Sequence, residues 1–118
     1  MTSVEALLAP VARDAEPQLQ QQLRGLFGGI VRAYLPQTWV FRTEEGVATL
    51  RVDPAGKFSV VEGAVEPADV TVEVGHARLA AALTTRRRAS VPPGPLTVTP
   101  HTSKGRTAFE YLRGRLGL

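Results

Sequence analysis

The fold is decided by residues 38–61, which read TWVFRTEEGVATLRVDPAGKFSVV. Three apolar, β-branched or aromatic runs are separated there by the turn residues Glu44–Gly46 and Asp53–Gly56. In the second turn, proline presets one backbone angle and glycine accepts the left-handed one. Apolar and polar residues alternate in the middle run, which is typical of a strand with one buried face. Connections this short exclude crossovers, so the stretch predicts a three-stranded antiparallel meander.

Helices are predicted on the N-terminal side of the meander. Thr2 or Ser3 can cap a short first helix that Pro10 breaks. A second helix is predicted to start near Asp14, with Pro17 in its first turn. Its apolar residues recur at steps of three and four, as in an amphipathic helix: Leu19, Leu23, Leu26, Phe27, Ile30 and Tyr34. Three glycines interrupt this stripe near its end, which indicates close backbone packing or a pliable last turn.

The remaining elements extend the sheet and add two helices. Residues 69–74 alternate with valine on the inner face, and residues 96–98 form a fifth short strand. A third helix is predicted to begin at Gly75–His76, and a last one to be capped by Thr102 or Ser103. The order predicts a single α+β domain over residues 1–118, with residues 1–14 as a short N-terminal extension. Its five-stranded, mostly antiparallel sheet is expected to carry helices on one face.

Composition and charge restrict the classes of function. The chain has 118 residues, of which 43% are apolar, and no cysteine, so disulfides, thiol nucleophiles and zinc–thiolate sites are excluded. No apolar run reaches the length of about 20 residues that a membrane helix needs. The N-terminus lacks the early basic cluster of a secretion signal, so a cytoplasmic protein is expected. Residues 76–118 carry eight basic side chains and one acidic one, a positive surface that can attract anionic lipid, an acidic partner or nucleic acid.

The residues that could carry chemistry form no recognisable site. His76 and His101 are the only histidines. Metal sites generally need three or four ligands, so no metal is predicted. Asp69 lacks a nucleophile and an orienting partner in recognisable order, and is interpreted as a strand-edge residue. We therefore expect no catalytic residues, no cofactor and no enzyme activity.

Several local strings resemble the sterol-carrier type-2 domain, the family of non-specific lipid-transfer proteins. Residues 47–53 followed by Gly56 resemble its second strand and turn, and residues 67–72 (PADVTV) resemble its ADVT strand. Residues 94–98 (GPLTV) resemble its fifth strand, and residues 108–112 its closing helix. The resemblance covers residues 15–118, although Pro100 and His101 stand where the family has a glycine after the fifth strand. The last residues, Leu116 to Leu118, are not a peroxisomal signal, which favours a bacterial or archaeal cytosolic protein.

The resemblance implies a protein that binds and carries a hydrophobic ligand, namely a fatty acid, acyl-CoA, sterol or phospholipid. In such a sterol-carrier-like fold, helices over a curved sheet enclose an apolar tunnel. The candidates for lining it are Leu26, Phe27, Ile30, Trp39, Phe41, Leu50, Phe58, Leu83, Phe109, Leu112 and Leu116. The basic run Arg86, Arg87 and Arg88 is the candidate contact for a headgroup or an anionic membrane. It has no interleaved aromatic residues, so nucleic acid is not expected as a partner.

The same residues are also compatible with simpler structural roles. The apolar residues can simply pack on each other, and the three arginines can form a solvated loop. The domain would then be an accessory or dimerisation scaffold with a filled core, serving a partner enzyme. A small enzyme that acts on a lipid is a third hypothesis, which only the pocket idea supports. The protein is expected to be a monomer or a homodimer.

Overall fold

The computed structural model describes residues 3–25, 28–84 and 96–116, and their side chains except those of residues 30, 31, 82–84 and 111–116. In these ranges the longer helices are α1 (Val4–Leu23), α3 (His76–Thr84) and α4 (Ser103–Leu116), and α2 (Gly28–Arg32) is short. The strands are β1 (Gln37–Thr43), β2 (Gly46–Val52), β3 (Phe58–Glu62), β4 (Val70–Val74) and β5 (Leu96–Pro100). Each described helix is too short or too polar to cross a lipid bilayer.

The sheet is open and mixed, with strand order β3-β2-β1-β4-β5. The predicted meander is confirmed, because β1 pairs antiparallel with β2 and β2 with β3. Gly56 has a φ of 82°, the left-handed backbone predicted for the second turn. β4 pairs antiparallel with β5 but parallel with β1. The α+β class and the mostly antiparallel sheet are thus confirmed, and one parallel pair joins the meander to the rest.

The helices lie on one face of the sheet, which we call the inner face. In the register of β1 and β2, Trp39 is opposite Leu50 and Phe41 is opposite Ala48, so these side chains share that face. α1 packs across β2 and β3 and also contacts α3, while α4 lies near β4 and β5. The buried cluster at this interface consists of Val4, Leu7, Leu8, Ala48, Val70, Val72, Val74 and Leu79.

The prediction of two separate N-terminal helices is wrong, because α1 is continuous and contains both Pro10 and Pro17. A proline in a helix interior removes one backbone hydrogen bond and costs about 3 kcal/mol. Burial on both sides of Pro10 offsets that cost, since Leu8 before it and Leu23 near the helix end are both buried. Residues 4–14 therefore contribute core side chains. Ser3 caps the helix as predicted, its hydroxyl accepting a hydrogen bond from the Ala6 amide at 3.1 Å.

The prediction that one helix runs on to about residue 34 is also wrong. α1 ends at Leu23 and α2 begins at Gly28. A Cβ at position 28 would collide with the Leu23 carbonyl, so the close approach of the two helices requires glycine there. The glycines that interrupt the apolar stripe thus mark the break between two helices.

The outer face of the sheet is covered at its centre by the segment 63–69. β3 and β4 run in the same direction and are separated by β2 and β1, so this connection must cross the sheet. The Thr49 hydroxyl donates to the Gly63 carbonyl at 2.8 Å and accepts from the Val65 amide at 3.1 Å. Thr49 and Val40 both point to the outer face and are fully buried. The sheet is therefore buried on both sides at its middle.

Asp69 joins β1, β4 and α4. Its carboxylate accepts a hydrogen bond from the Thr38 amide at 2.8 Å and another from the Thr102 hydroxyl at 2.8 Å. The same hydroxyl accepts from the Gly105 amide at 3.0 Å and so caps α4. Asp69 directly precedes β4, as expected of a strand-edge residue, and at 6% exposed it is also a buried junction. Its partners lie more than 30 positions away in sequence, and no local pattern identifies them.

The close approach of α4 to Asp69 gives a first prediction. A Cβ at position 105 would overlap the Asp69 carbonyl oxygen, so Gly105→Ala should lower the free energy of unfolding by about 1–3 kcal/mol through overpacking. Gly29→Ala is the matched control, because nothing lies within 4 Å of its added Cβ. Alanine there should be neutral or stabilise the helix by up to about 1 kcal/mol. Urea unfolding measures both, and equal effects would contradict the close approach.

Glu44 caps the start of α3 from the β1–β2 turn. Both carboxylate oxygens accept from the His76 amide at 3.0 Å. The backbone amide of Glu44 itself, followed by that of His76, lowers the pKa of the Glu44 carboxyl below its usual value of 4.5. This contribution to stability is present above pH 4.5 and is lost as the pH falls through the lowered pKa.

Glu44→Gln should therefore destabilise the protein at pH 7, and the difference from wild type should shrink as the pH falls below about 4.5. Glu45→Gln is the matched control, because this exposed neighbour loses the same charge without a side-chain contact to α3. Urea unfolding at a series of pH values provides the measurement. If the difference in stability between wild type and the Glu44→Gln variant does not change with pH, the charge of Glu44 does not stabilise the start of α3.

Candidate lipid-binding site

Three aromatic side chains meet on the inner face, and we call them the aromatic strip. Trp39 and Phe41 alternate along β1, with ring centroids 6.5 Å apart and planes 28° from parallel. Phe109 approaches from α4, its ring centroid 6.3 Å from that of Trp39. Centroid distances of about 4.5–7 Å are those of favourable aromatic pairs. All three residues are only half-buried.

The strip borders the fully buried core. Leu50, Val60 and Val98 pack against the buried cluster together with Trp39 and Phe41, and they too are half-buried. By contrast, Val70 and Leu8 in the same cluster are at most 1% exposed. The inner face is therefore closed around α1 and β4 and partly open along the strip. A partly open apolar surface with aromatic residues is the chemistry that an acyl chain or sterol ring requires.

Gln37 fixes one end of the strip. It is 5% exposed, and its side-chain carbonyl accepts from the Trp39 indole N–H at 2.9 Å. Its amide nitrogen donates to the Tyr34 carbonyl at 2.6 Å and to the Lys104 carbonyl at 3.1 Å. One side chain thus orients the indole and ties it to the segment after α2 and to the first turn of α4. Sequence reasoning missed Gln37, and its position two residues before Trp39 on the same strand face was the only available signal.

The structure brings together part of the predicted lining. Trp39, Phe41, Leu50 and Phe109 share one region of the inner face. Phe58 lies at the start of edge strand β3, where its amide donates to the Glu16 carboxylate at 2.8 Å. Ile30, Leu83, Leu112 and Leu116 fall in α2, α3 and α4, but their side chains lie outside those described, as do Leu26, Phe27 and the run Arg86, Arg87 and Arg88. The tunnel therefore stays a prediction.

Two clefts lie at opposite ends of the sheet, with volumes of about 390 and 320 Å³. Among the described residues, only strands and connecting segments line them. Arg51 and Phe58 border the larger cleft, and Arg42 and Glu73 border the smaller one. Neither cleft is the predicted tunnel between helices and sheet.

Each of the two histidines is hydrogen-bonded to a threonine on a different strand. His76 Nδ1 lies 3.2 Å from the Thr43 hydroxyl, and His101 Nε2 lies 2.8 Å from the Thr71 hydroxyl. Within the ranges that the structure describes, no three His, Asp or Glu side chains are grouped to hold a metal ion.

No family model matches the chain, and no curated protein matches it. The resemblance to the sterol-carrier family therefore depends on the sequence strings alone.

The role of Gln37 can be tested through the one tryptophan of the chain. Gln37→Leu leaves the Trp39 indole N–H and two backbone carbonyls without this partner, which should cost about 1–3 kcal/mol of unfolding free energy. The Trp39 emission maximum should also shift. Gln18→Leu on the exposed side of α1 is the control and should change neither. An unchanged emission spectrum in the Gln37→Leu variant would refute the proposed orientation of the indole.

Proposed function

We propose that this protein binds and carries a hydrophobic ligand, without chemistry, and that the acyl chain or ring system lies against the aromatic strip. The observation that carries the proposal is that Trp39, Phe41 and Phe109 stay half-buried beside a closed core. Phenylalanine is among the residue types most often fully buried, so the half-buried rings of Phe41 and Phe109 leave apolar contact area that a bound ligand can cover.

The energetics suit a carrier with broad specificity. Burying a methylene group is worth about 0.8 kcal/mol, so a long chain gains affinity without specific hydrogen bonds. The buried polar group beside the strip, Gln37, already has three protein partners. It therefore needs no bond to the ligand. A fatty acid, acyl-CoA, sterol or phospholipid meets these requirements, and Arg86, Arg87 and Arg88 are proposed to contact an anionic headgroup or membrane.

The single tryptophan lies within the proposed site and can report on it directly. Bromine quenches tryptophan emission at close range, so 9,10-dibromostearic acid should quench Trp39 saturably and unbrominated stearic acid should reverse the quenching. Phe109→Ala should weaken binding roughly tenfold, because a loss of about 1.4 kcal/mol in contact energy corresponds to that factor. Val61→Ala is the control, since Val61 is 38% exposed and lies on the outer face.

Circular dichroism on both variants separates loss of binding from loss of fold. Dibromostearate that leaves Trp39 emission unchanged would exclude carriage at this strip. If the same ligand-free protein sediments as a dimer, the accessory scaffold is the better interpretation. Equal affinities of the Phe109→Ala and Val61→Ala variants would place binding elsewhere.

A further inference from the structure

The larger cleft carries a row of polar side chains that the proposed function does not use. In the sheet register, Thr38 on β1 is opposite Arg51 on β2, and Arg51 is opposite Ser59 on β3. These three side chains therefore lie in one line on the outer face, and all three border the cleft of about 390 Å³. Lys57, in the turn before β3, borders it as well. We call these four residues the basic row.

The two cations of the row have no acidic partner among the residues that the structure describes. The ion pairs of the described residues are Arg13 with Asp14 and Lys104 with Asp69, so neither Arg51 nor Lys57 is paired in that part of the chain.

One carboxylate that borders the cleft accepts hydrogen bonds within its own turn. It belongs to Asp53, whose Oδ1 accepts from the backbone amides of Ala55 and Lys57 at 2.9 Å each. These bonds hold Asp53 as a turn residue, but its carboxylate keeps its charge, so Arg51, Lys57 and Asp53 together give the cleft a net charge of +1.

We propose that the basic row binds an oxyanion, either a phosphate or a carboxylate group. A guanidinium presents paired donors that match two oxygens of such a group, and an ammonium adds a point charge. Directly opposed residues on neighbouring strands have Cβ atoms about 5 Å apart, so Thr38 and Ser59 place hydroxyl donors on both sides of Arg51. Two cations and two hydroxyls around one cleft form a complementary set of donors.

The anionic group can come from a carried lipid or from a free phosphate compound. Val52 and Phe58 are paired with each other next to the row, point to the inner face and border the same cleft. The cleft is thus bordered both by the row and by apolar side chains of the inner face. A lipid can place its chain on the inner face and its headgroup in the row, which leaves the membrane surface as the proposed contact of Arg86, Arg87 and Arg88. A lipid source depends on the proposed function, whereas the anion site itself does not.

Three probes separate these sources: inorganic phosphate, dodecanol and dodecyl phosphate. Amide signals of Thr38, Arg51 and Ser59 in ¹⁵N-labelled protein report on the row, and Trp39 emission reports on the strip. Phosphate and dodecyl phosphate should both shift the row signals. The double variant Arg51→Gln, Lys57→Gln should weaken phosphate binding at least tenfold and leave dodecanol binding unchanged. Arg42→Gln is the matched control, since Arg42 points to the same face from the opposite end of β1.

The outcomes test the anion site and the lipid-carrier function separately. Dodecyl phosphate that binds at least tenfold more tightly than both other probes assigns the row to a lipid headgroup. Equal affinity for dodecyl phosphate and phosphate, with no response of Trp39 to dodecanol, supports an anion site and rejects lipid carriage. Row signals that respond to neither phosphate probe, or an Arg42→Gln variant that loses as much affinity as the double variant, would overturn the anion site.

Discussion

The carboxylate of Asp69 is the contact on which the arrangement of the sheet and its last helix depends. Through the Thr38 amide it fixes the start of β1 against β4, and through the Thr102 hydroxyl it fixes the start of α4. The main chain adds two bonds in the same place, from the Asp69 amide to the Thr38 carbonyl at 2.8 Å and from the His101 amide to the Asp69 carbonyl at 2.7 Å. Phe109 reaches Trp39 only because α4 starts at this point. The aromatic strip is therefore a consequence of a buried polar junction about two helical turns before Phe109.

Much of the sheet follows from the sequence, because alternation and turn chemistry act over a few residues. The turns ending at Gly46 and Gly56 set the meander, and alternation predicts that Leu50 lies on one face of β2. The observed register of β1 and β2 then adds Trp39 and Phe41 to that face. The predicted helix boundaries were wrong, because long-range burial and not local sequence decides where α1 runs. Pro10 and Pro17 disfavour a helix locally, but core burial at both ends of α1 outweighs that preference.

The candidate site could be predicted only in part, because its organising residues act at a distance. Gln37 looks like an ordinary polar residue before a strand, yet it bonds to Lys104 across 67 positions. The row of Thr38, Arg51 and Ser59 comes from three strands and appears only once their register is fixed. The aromatic residues of the site could be predicted, because an apolar face has a regular sequence period. A junction of polar side chains from distant positions has no such period.

The segment 63–69, which crosses the outer face, also limits how copies of this protein can associate through their sheets. A second sheet cannot stack against the outer face without displacing residues 63–69 from Thr49, where two hydrogen bonds hold them. In the described sheet, β3 and β5 are the edge strands, and only an edge strand can pair its backbone with a strand of another copy. β5 ends in Pro100, which has no N–H to offer an incoming strand. The short connection that completes the topology thereby prevents a second sheet from stacking on the centre of the outer face, and Pro100 weakens pairing at one of the two edges.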